Sequence, residues 1–200
     1  MELTSHANDL SEASHALTCA LTAGQDSELW MPLTSQAVSA YVRPFIHSNV
    51  RTRLDKMPEV TAVPDPLQPV HDTIRKYRNT TVAHSQSNLV MPLPIAIRDA
   101  QGRGVNVVGI TITHQMPLAV AQRFAELISA MEERVDHATQ AVLERLRAWL
   151  SDQDPAVIDG WPFPDVAHAT DSDFTAAHPR RGATHFTTYW STTQTEEEPS

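Results

Sequence analysis

The sequence predicts a mainly α protein: a bundle of about four helices with an inserted β-hairpin and a disordered acidic C-terminal tail. Three observations support this fold class. Apolar residues recur at helical spacing up to Tyr77, alternate with a period of two between residues 88 and 115, and return to helical spacing from Leu118 to Leu150. The 41% apolar content of this 200-residue chain is sufficient for a buried core.

The first two helices are bounded by a glycine and a proline. Apolar or small residues recur at steps of four and three from Leu3 to Leu21, and Gly24 supplies a C-terminal stop. A second helix is expected to begin near Ser27. It should end or kink at Pro44, because proline lacks the backbone N–H that a helix interior requires.

The third helix follows a proline-rich loop over residues 56–69. Asp65 followed by Pro66 is a helix-start signal, with the aspartate as N-cap and the proline in the first turn. The helix then runs toward Arg78. Beyond it, Thr80, Thr81 and Val82 are poor helix formers, so a local break is expected there.

The β-hairpin is expected at about residues 88–115. Apolar residues alternate in its first strand: Leu89, Met91, Leu93, Ile95 and Ile97. The segment 105–113 is rich in β-branched residues, and 99–104 forms the turn. Because Pro92 and Pro94 cannot donate to a ladder, the first strand should lie at an edge.

The last helix, from Leu118 to Leu150, has the strongest pattern in the chain. Its apolar positions at heptad-like spacing are Ala121, Phe124, Ile128, Met131, Val135, Ala138, Val142 and Trp149. Such a seam requires a partner surface. The other helices of the same chain are favoured over the same helix in a second copy.

Two regions are therefore expected: a helical domain over residues 1–150 and an acidic flexible tail over residues 151–200. The tail has nine acidic residues against two arginines, which gives it −7 of the total net charge of −9. It shows no sustained periodicity, so no regular structure is expected in it. Trp161 and Phe163 are its candidate anchors.

One stretch of the helical domain has an excess of cations. Residues 43–78 contain seven cations against four acidic residues. A surplus of this size could meet phosphate, but a solvated surface is favoured over that interpretation.

The composition favours a cytoplasmic protein without cofactors. The N-terminus lacks the layout of a signal peptide, and no segment reaches the ~18 apolar residues of a membrane span. Cys19 is the only cysteine, and it is expected to fill the core. The histidines show no paired metal-ligand spacing, so no metal site is expected. Because no segment could span a membrane, no membrane partner is expected either.

The segment Arg78-Asn79-Thr80-Thr81-Val82-Ala83-His84-Ser85 combines a fixed cation, an amide and an imidazole. RNA cleavage requires these functional groups. An imidazole can take the proton of a 2′-hydroxyl or protonate the leaving 5′-oxygen. A guanidinium can grip phosphate oxygens through its fork, and an amide can orient either group. Arg78, Asn79 and His84 are therefore the candidate catalytic residues.

With these residues the sequence resembles the HEPN superfamily. Its nuclease members share an arginine, commonly followed by a polar residue, and a histidine after four to six positions. The resemblance implies a helical bundle, a homodimer whose two motifs form one metal-independent ribonuclease site, a proton-transfer role for His84 and a phosphate-binding role for Arg78. The run from Trp30 through Pro44 to Arg78 also resembles a group of uncharacterised bacterial helical proteins.

Two functions are thus expected. The first is a metal-independent endoribonuclease of toxin or phage-defence type, acting on RNA as a homodimer and controlled by a cognate antitoxin. The alternative is a non-catalytic module that binds protein or nucleic acid. In that alternative Arg78 and Asn79 cap the helix through backbone hydrogen bonds, and His84 turns the chain into the hairpin. The spacing alone does not decide, because Arg180 and His185 show a similar one.

Overall fold

The computed structural model describes residues 2–84, 86–163 and 186–187. Residues 2–140 form one compact unit, and the described residues from Ala141 onward belong to a second unit. The fold is mainly helical with one antiparallel hairpin, which confirms the expected fold class. The predicted boundary after Leu150 stays a prediction.

Two antiparallel neighbours, α1 (Glu2–Ala23) and α2 (Trp30–Val42), begin the first unit. Gly24 ends α1 as expected: its φ is +85°, and its N–H donates to the carbonyl of Ala20. A 3₁₀ turn over Arg43–Phe45 follows α2 directly, so Pro44 ends the α-helix without diverting the chain.

The buried face of α1 includes two polar residues that the apolar spacing did not reveal. His6 is fully buried and Asp9 is 5% exposed. His6 Nε2 donates to the carbonyl of Thr52, and Asp9 accepts from Arg43 and Arg51. These partners lie more than 30 positions away in sequence, which is why the periodicity of α1 could not indicate them. Cys19 is only partly buried, so the expectation that it fills the core is wrong.

A 3₁₀ turn over Asp65–Leu67 leads into α3 (Gln68–Tyr77). Asp65 lies in the first position of the turn rather than before it, and its side chain makes no capping hydrogen bond. The expected N-cap is therefore wrong, although Pro66 does fall in the first turn. Within α3 the buried residues are His71 and Ile74.

The hairpin is formed by β1 (Val90–Arg98) and β2 (Gly104–Thr113), close to the predicted bounds. Asp99 Oδ1 accepts from the N–H groups of Gln101 and Arg103, and Gly102 adopts a φ of +82° to close the turn. Both strands are edges of this two-stranded sheet, as the prolines of β1 predict.

The long helix α4 (Leu118–Ser151) packs on the core with the predicted stripe as far as Ala138. The seam is therefore buried within the same chain over this part, as favoured by the sequence. At its start, Trp30 Nε1 donates to the carbonyl of Met116 at 2.8 Å across 86 positions. This bond fixes the point at which the chain enters α4.

Four rings form the centre of the core. Tyr41 lies 5.2 Å from Phe124 and 5.3 Å from Phe45, and Phe45 lies 4.7 Å from His71, all measured between ring centroids. The rings belong to α2, the turn after it, α3 and α4. Edge-to-face packing of this kind stabilises a core beyond the burial of area alone.

The second unit contains the end of α4 and a short helix, α5 (Pro155–Asp159). Asp154 caps α5 by accepting from the N–H of Ala156. Trp161 stacks on Trp149 and on Phe186, as an anchor should, whereas Phe163 is 74% exposed. The expected absence of regular structure is thus wrong for Pro155–Asp159, and most of the predicted disordered tail lies outside the described residues.

Candidate functional site

The candidate catalytic segment begins where α3 changes its hydrogen-bond pattern. Arg78–Val82 form a π turn, and the N–H of Ala83 donates to the carbonyl of Arg78 at 2.9 Å. The predicted break in the helix takes the form of this π turn. Threonine and valine are poor formers of the tighter α-helix, which favours a change of hydrogen-bond pattern here. Single π turns occur frequently at functional sites.

His84 lies on a small loop that two hydrogen bonds close. The N–H of Gln86 donates to the carbonyl of Thr80 at 2.6 Å, and the hydroxyls of Thr81 and Ser87 lie 2.7 Å apart. Thr81 is buried beneath this loop. These two bonds join the residues that follow the loop to the end of α3.

The three candidate side chains reach solvent. Asn79 and His84 are exposed, and Arg78 is half-buried. Arg78 Nη1 donates to Asn79 Oδ1 at 3.2 Å. Among the described residues, neither Arg78 nor Asn79 donates a side-chain hydrogen bond to a backbone carbonyl, and His84 has no hydrogen-bond partner. Ser85 lies outside the described residues.

Arg78 and His84 belong to the same end of α3 but do not contact each other through a hydrogen bond within the described part of the chain. The structure therefore brings Arg78 and Asn79 together as a hydrogen-bonded pair, and within the described residues no such bond joins them to His84. A phosphate group bound between the pair and His84 would have both a cation and a proton-transfer group within one short segment.

The stretch over residues 43–78 has fewer cations available to bind a ligand than its composition indicates. Arg43 and Arg51 both pair with Asp9, and Arg53 pairs with Asp55. Four of the seven cations form no ion pair among the described residues: Lys56, Arg75, Lys76 and Arg78. One of these, Lys76, lies in the last turn of α3 and adds positive charge beside the candidate residue Arg78.

An apolar pocket of about 460 Å³ lies next to the candidate segment, at the base of the hairpin. Among its lining residues are Ile74, Tyr77, Leu89, His114, Met116 and Val120. Burial raises the pKa of Tyr77, which immediately precedes Arg78. The sequence did not indicate this pocket, because its wall combines α3, both ends of the hairpin and the start of α4.

A second cavity, of about 220 Å³, lies beside the aromatic core and is lined by Phe45, Asp55, His71 and Arg75, among others. His71 Nδ1 is 2.7 Å from the hydroxyl of Tyr41. Burial, and then the charge of Arg75, lower the pKa of His71, while burial raises the pKa of Tyr41. Both groups are therefore neutral, and their bond serves the packing of α2 against α3.

His6 is the other buried histidine. Its Nδ1 has no hydrogen-bond partner among the described residues, and burial lowers its pKa. No group of three His, Cys, Asp or Glu side chains in the described part of the chain is arranged to hold a metal ion. None of the described helices combines the length and apolar content needed to cross a bilayer.

Fold and surface together define a mainly helical protein that presents a polar loop at the end of α3 and a projecting β-hairpin after it. Comparison with protein-family models, with curated proteins and with solved structures finds no match for the chain. The resemblance to the HEPN superfamily thus stays a prediction that depends on Arg78, Asn79 and His84.

Proposed function

We propose that the protein is a metal-independent endoribonuclease whose catalytic residues are Arg78, Asn79 and His84. The observation that supports this proposal is that Asn79 and His84 are exposed and Arg78 is half-buried at a π turn and the loop after it. Among the described residues, none of the three side chains makes a hydrogen bond to another element. Buried polar groups are nearly always satisfied by such bonds, whereas exposed ones bond to water and stay available to a ligand. Groups that bind and transform a ligand remain accessible.

The proposed reaction consumes no water and no metal. His84 takes the proton of a ribose 2′-hydroxyl, and the 2′-oxygen attacks the adjacent phosphorus. Arg78, oriented by Asn79, stabilises the added negative charge on the phosphoryl oxygens. The bond to the 5′-oxygen breaks and that oxygen takes up a proton. The products are a 2′,3′-cyclic phosphate and a 5′-hydroxyl.

In the full proposal two copies cooperate, because one exposed imidazole cannot both remove and deliver a proton in the same step. A homodimer supplies a second His84 as the acid. The substrate in this proposal is RNA. We further propose a toxin or phage-defence role for this activity, with a cognate antitoxin as its regulator.

The second candidate is a non-catalytic interaction module. Its support is the hairpin, whose apolar side chains are exposed on both strands. Exposed apolar patches of this extent mark interaction sites. The nuclease proposal gives His84 a role in proton transfer, whereas the interaction module gives it no chemical role.

Single-residue variants assayed on a defined RNA oligonucleotide in EDTA separate the candidates. The nuclease proposal predicts that His84→Ala and Arg78→Ala reduce the cleavage rate by at least about 100-fold. The matched control His137→Ala alters an exposed histidine on α4 and should leave the rate unchanged. Equal rates for all three variants would contradict the proposal and favour the interaction module.

A further inference from the structure

The two faces of the hairpin differ in chemistry. Residues that are paired across the strands share a face, and one face contains three wholly apolar pairs: Met91 with Ile112, Leu93 with Ile110, and Ile95 with Val108. Ile97 extends this face, opposite Asn106. We call these eight residues, of which Asn106 alone is polar, the apolar face.

The opposite face carries smaller side chains, and two of its eight residues are polar. Its residues are Val90, Pro92, Pro94, Ala96, Val107, Gly109, Thr111 and Thr113. No charged residue occurs in β1 before Arg98 or anywhere in β2. A partner of the apolar face therefore gains nothing from charge and must itself be apolar.

The apolar face is uncovered by the rest of the described chain. Six of its side chains are between 36% and 41% exposed: Leu93, Ile95, Ile97, Val108, Ile110 and Ile112. Together with the half-buried Met91, they expose an area on the order of 500 Å², at the upper end of what monomers leave in water. A two-stranded hairpin is also marginally stable without packing on one face.

We propose that two copies of the chain associate by packing the apolar faces of their hairpins against each other. A two-fold interface places the same patch on both sides, so the patch must be complementary to itself. A flat, uncharged face of branched aliphatic side chains meets this condition. Packing the apolar faces of two copies together would bury a total area on the order of 1,000 Å², which is the minimum for a specific interface.

The edges of the hairpin favour this arrangement over strand addition. The N–H of His114 donates to the carbonyl of Leu89, and hydrogen-bonded pairs alternate with non-bonded pairs from there. Pro92 and Pro94 therefore occupy positions at which a backbone N–H would face outward. Because proline has no N–H, the outer edge of β1 cannot pair fully with another strand. Strand addition at β2 would widen the sheet but leave the apolar face in water.

The inference rests on the proposed function only in the number of copies. A monomeric wild type would contradict both proposals, whereas a dimer that Ile110→Lys leaves intact would contradict this interface alone. The dimer provides a route to two copies of His84 in one particle, since the His84 loop leads directly into β1.

Sedimentation equilibrium of the full chain tests the dimer. The wild type should dimerise, and Ile110→Lys should raise the dimer dissociation constant by at least about 30-fold, since a lysine at the centre of an apolar interface is not paired. The matched control is Val107→Lys. Val107 lies on the same strand, is 67% exposed and belongs to the opposite face, so this variant should dimerise like the wild type.

Two further variants keep the test decisive. Ile110→Thr preserves the β-branched shape and should weaken the dimer even if the lysine variant fails to fold. Thr111→Pro removes an outward N–H of β2 and should leave a face-to-face dimer intact. A wild type that is still monomeric at a concentration of about 100 μM would overturn the proposal. Equal loss in Ile110→Lys and Val107→Lys, or loss confined to Thr111→Pro, would also overturn it.

Discussion

The hydroxyl oxygen of Tyr41 lies 2.7 Å from Nδ1 of His71, within the ring cluster that joins α2, α3 and α4. His71 is 4% exposed, and burial is the main cause of its lowered pKa. The neutral imidazole therefore belongs to the folded state. Protonation of this group opposes folding.

The first prediction concerns pH. The pKa values of His71 and His6 are lowered from 6.5 in the folded state, so the unfolded chain binds protons first as the pH falls. Stability should be fully present above pH 6.5 and decrease below it, by up to about 1.4 kcal/mol per pH unit for each histidine, until the folded-state pKa values are reached. Urea unfolding between pH 8 and pH 5.5 measures this slope.

The control for this prediction is His71→Gln, which should unfold more easily at pH 8 but show a shallower slope. Burial raises the pKa of Glu132, whose effect on stability has the opposite sign, and the comparison between wild type and variant cancels it. Identical slopes for the two proteins would show that His71 titrates normally in the folded state.

The second prediction concerns the buried carboxylate on α1. Asp9 bridges Arg43 and Arg51, and its side chain is 7% exposed. Asp9→Asn should reduce the free energy of unfolding by about 3 kcal/mol, since it leaves Arg51 without its charge partner in a largely buried position. Asp55→Asn removes an equally short but more exposed ion pair with Arg53 and should cost less than about 1 kcal/mol. Similar losses in the two variants would contradict the argument.

The third prediction concerns the entry into α4. Trp30→Phe removes the N–H that satisfies the carbonyl of Met116 and should destabilise the protein by about 1–3 kcal/mol, measured by thermal or urea unfolding. Trp149→Phe changes a tryptophan that is 43% exposed and should cost under about 1 kcal/mol. If Trp30→Phe is as mild as Trp149→Phe, the bond to Met116 does not hold the two segments together.

The fourth prediction concerns the end of α1. An alanine at Gly24 would meet no neighbouring atom, but it would have to adopt a φ of +85°. Gly24→Ala should therefore cost about 1–2 kcal/mol through backbone strain alone. Gly104→Ala, also in open space but without a left-handed φ, should change stability by less than about 0.5 kcal/mol. A neutral Gly24→Ala would indicate that the chain bends elsewhere.

Local patterns predicted most of the fold. The helical stripe of α4 and the two-residue alternation of the hairpin depend on side chains close in sequence, and both were found near their expected bounds. The burial of His6 and Asp9 could not be predicted, because their partners Thr52, Arg43 and Arg51 approach only in the folded chain. The Asp65 cap failed for a related reason, since a 3₁₀ turn begins one residue earlier than the α-helix pattern assumes.

The candidate site was predictable only in part. Residue types and spacing identified Arg78, Asn79 and His84, and the poor helix formers between them indicated a break. The form of that break, a π turn followed by a loop tied by Thr81 and Ser87, depends on hydrogen bonds that no spacing specifies. The apolar pocket beside it is lined by α3, by the residues just before β1 and just after β2, and by the start of α4, which meet only in the folded chain.

The most direct test of the account is to incubate the purified chain with total RNA in EDTA and identify the ends of any fragments. We predict fragments with 2′,3′-cyclic phosphate and 5′-hydroxyl ends from the wild type, and none above background from His84→Ala. Intact RNA with the wild type, or identical fragments from both proteins, would contradict the assignment of Arg78, Asn79 and His84 as a ribonuclease site.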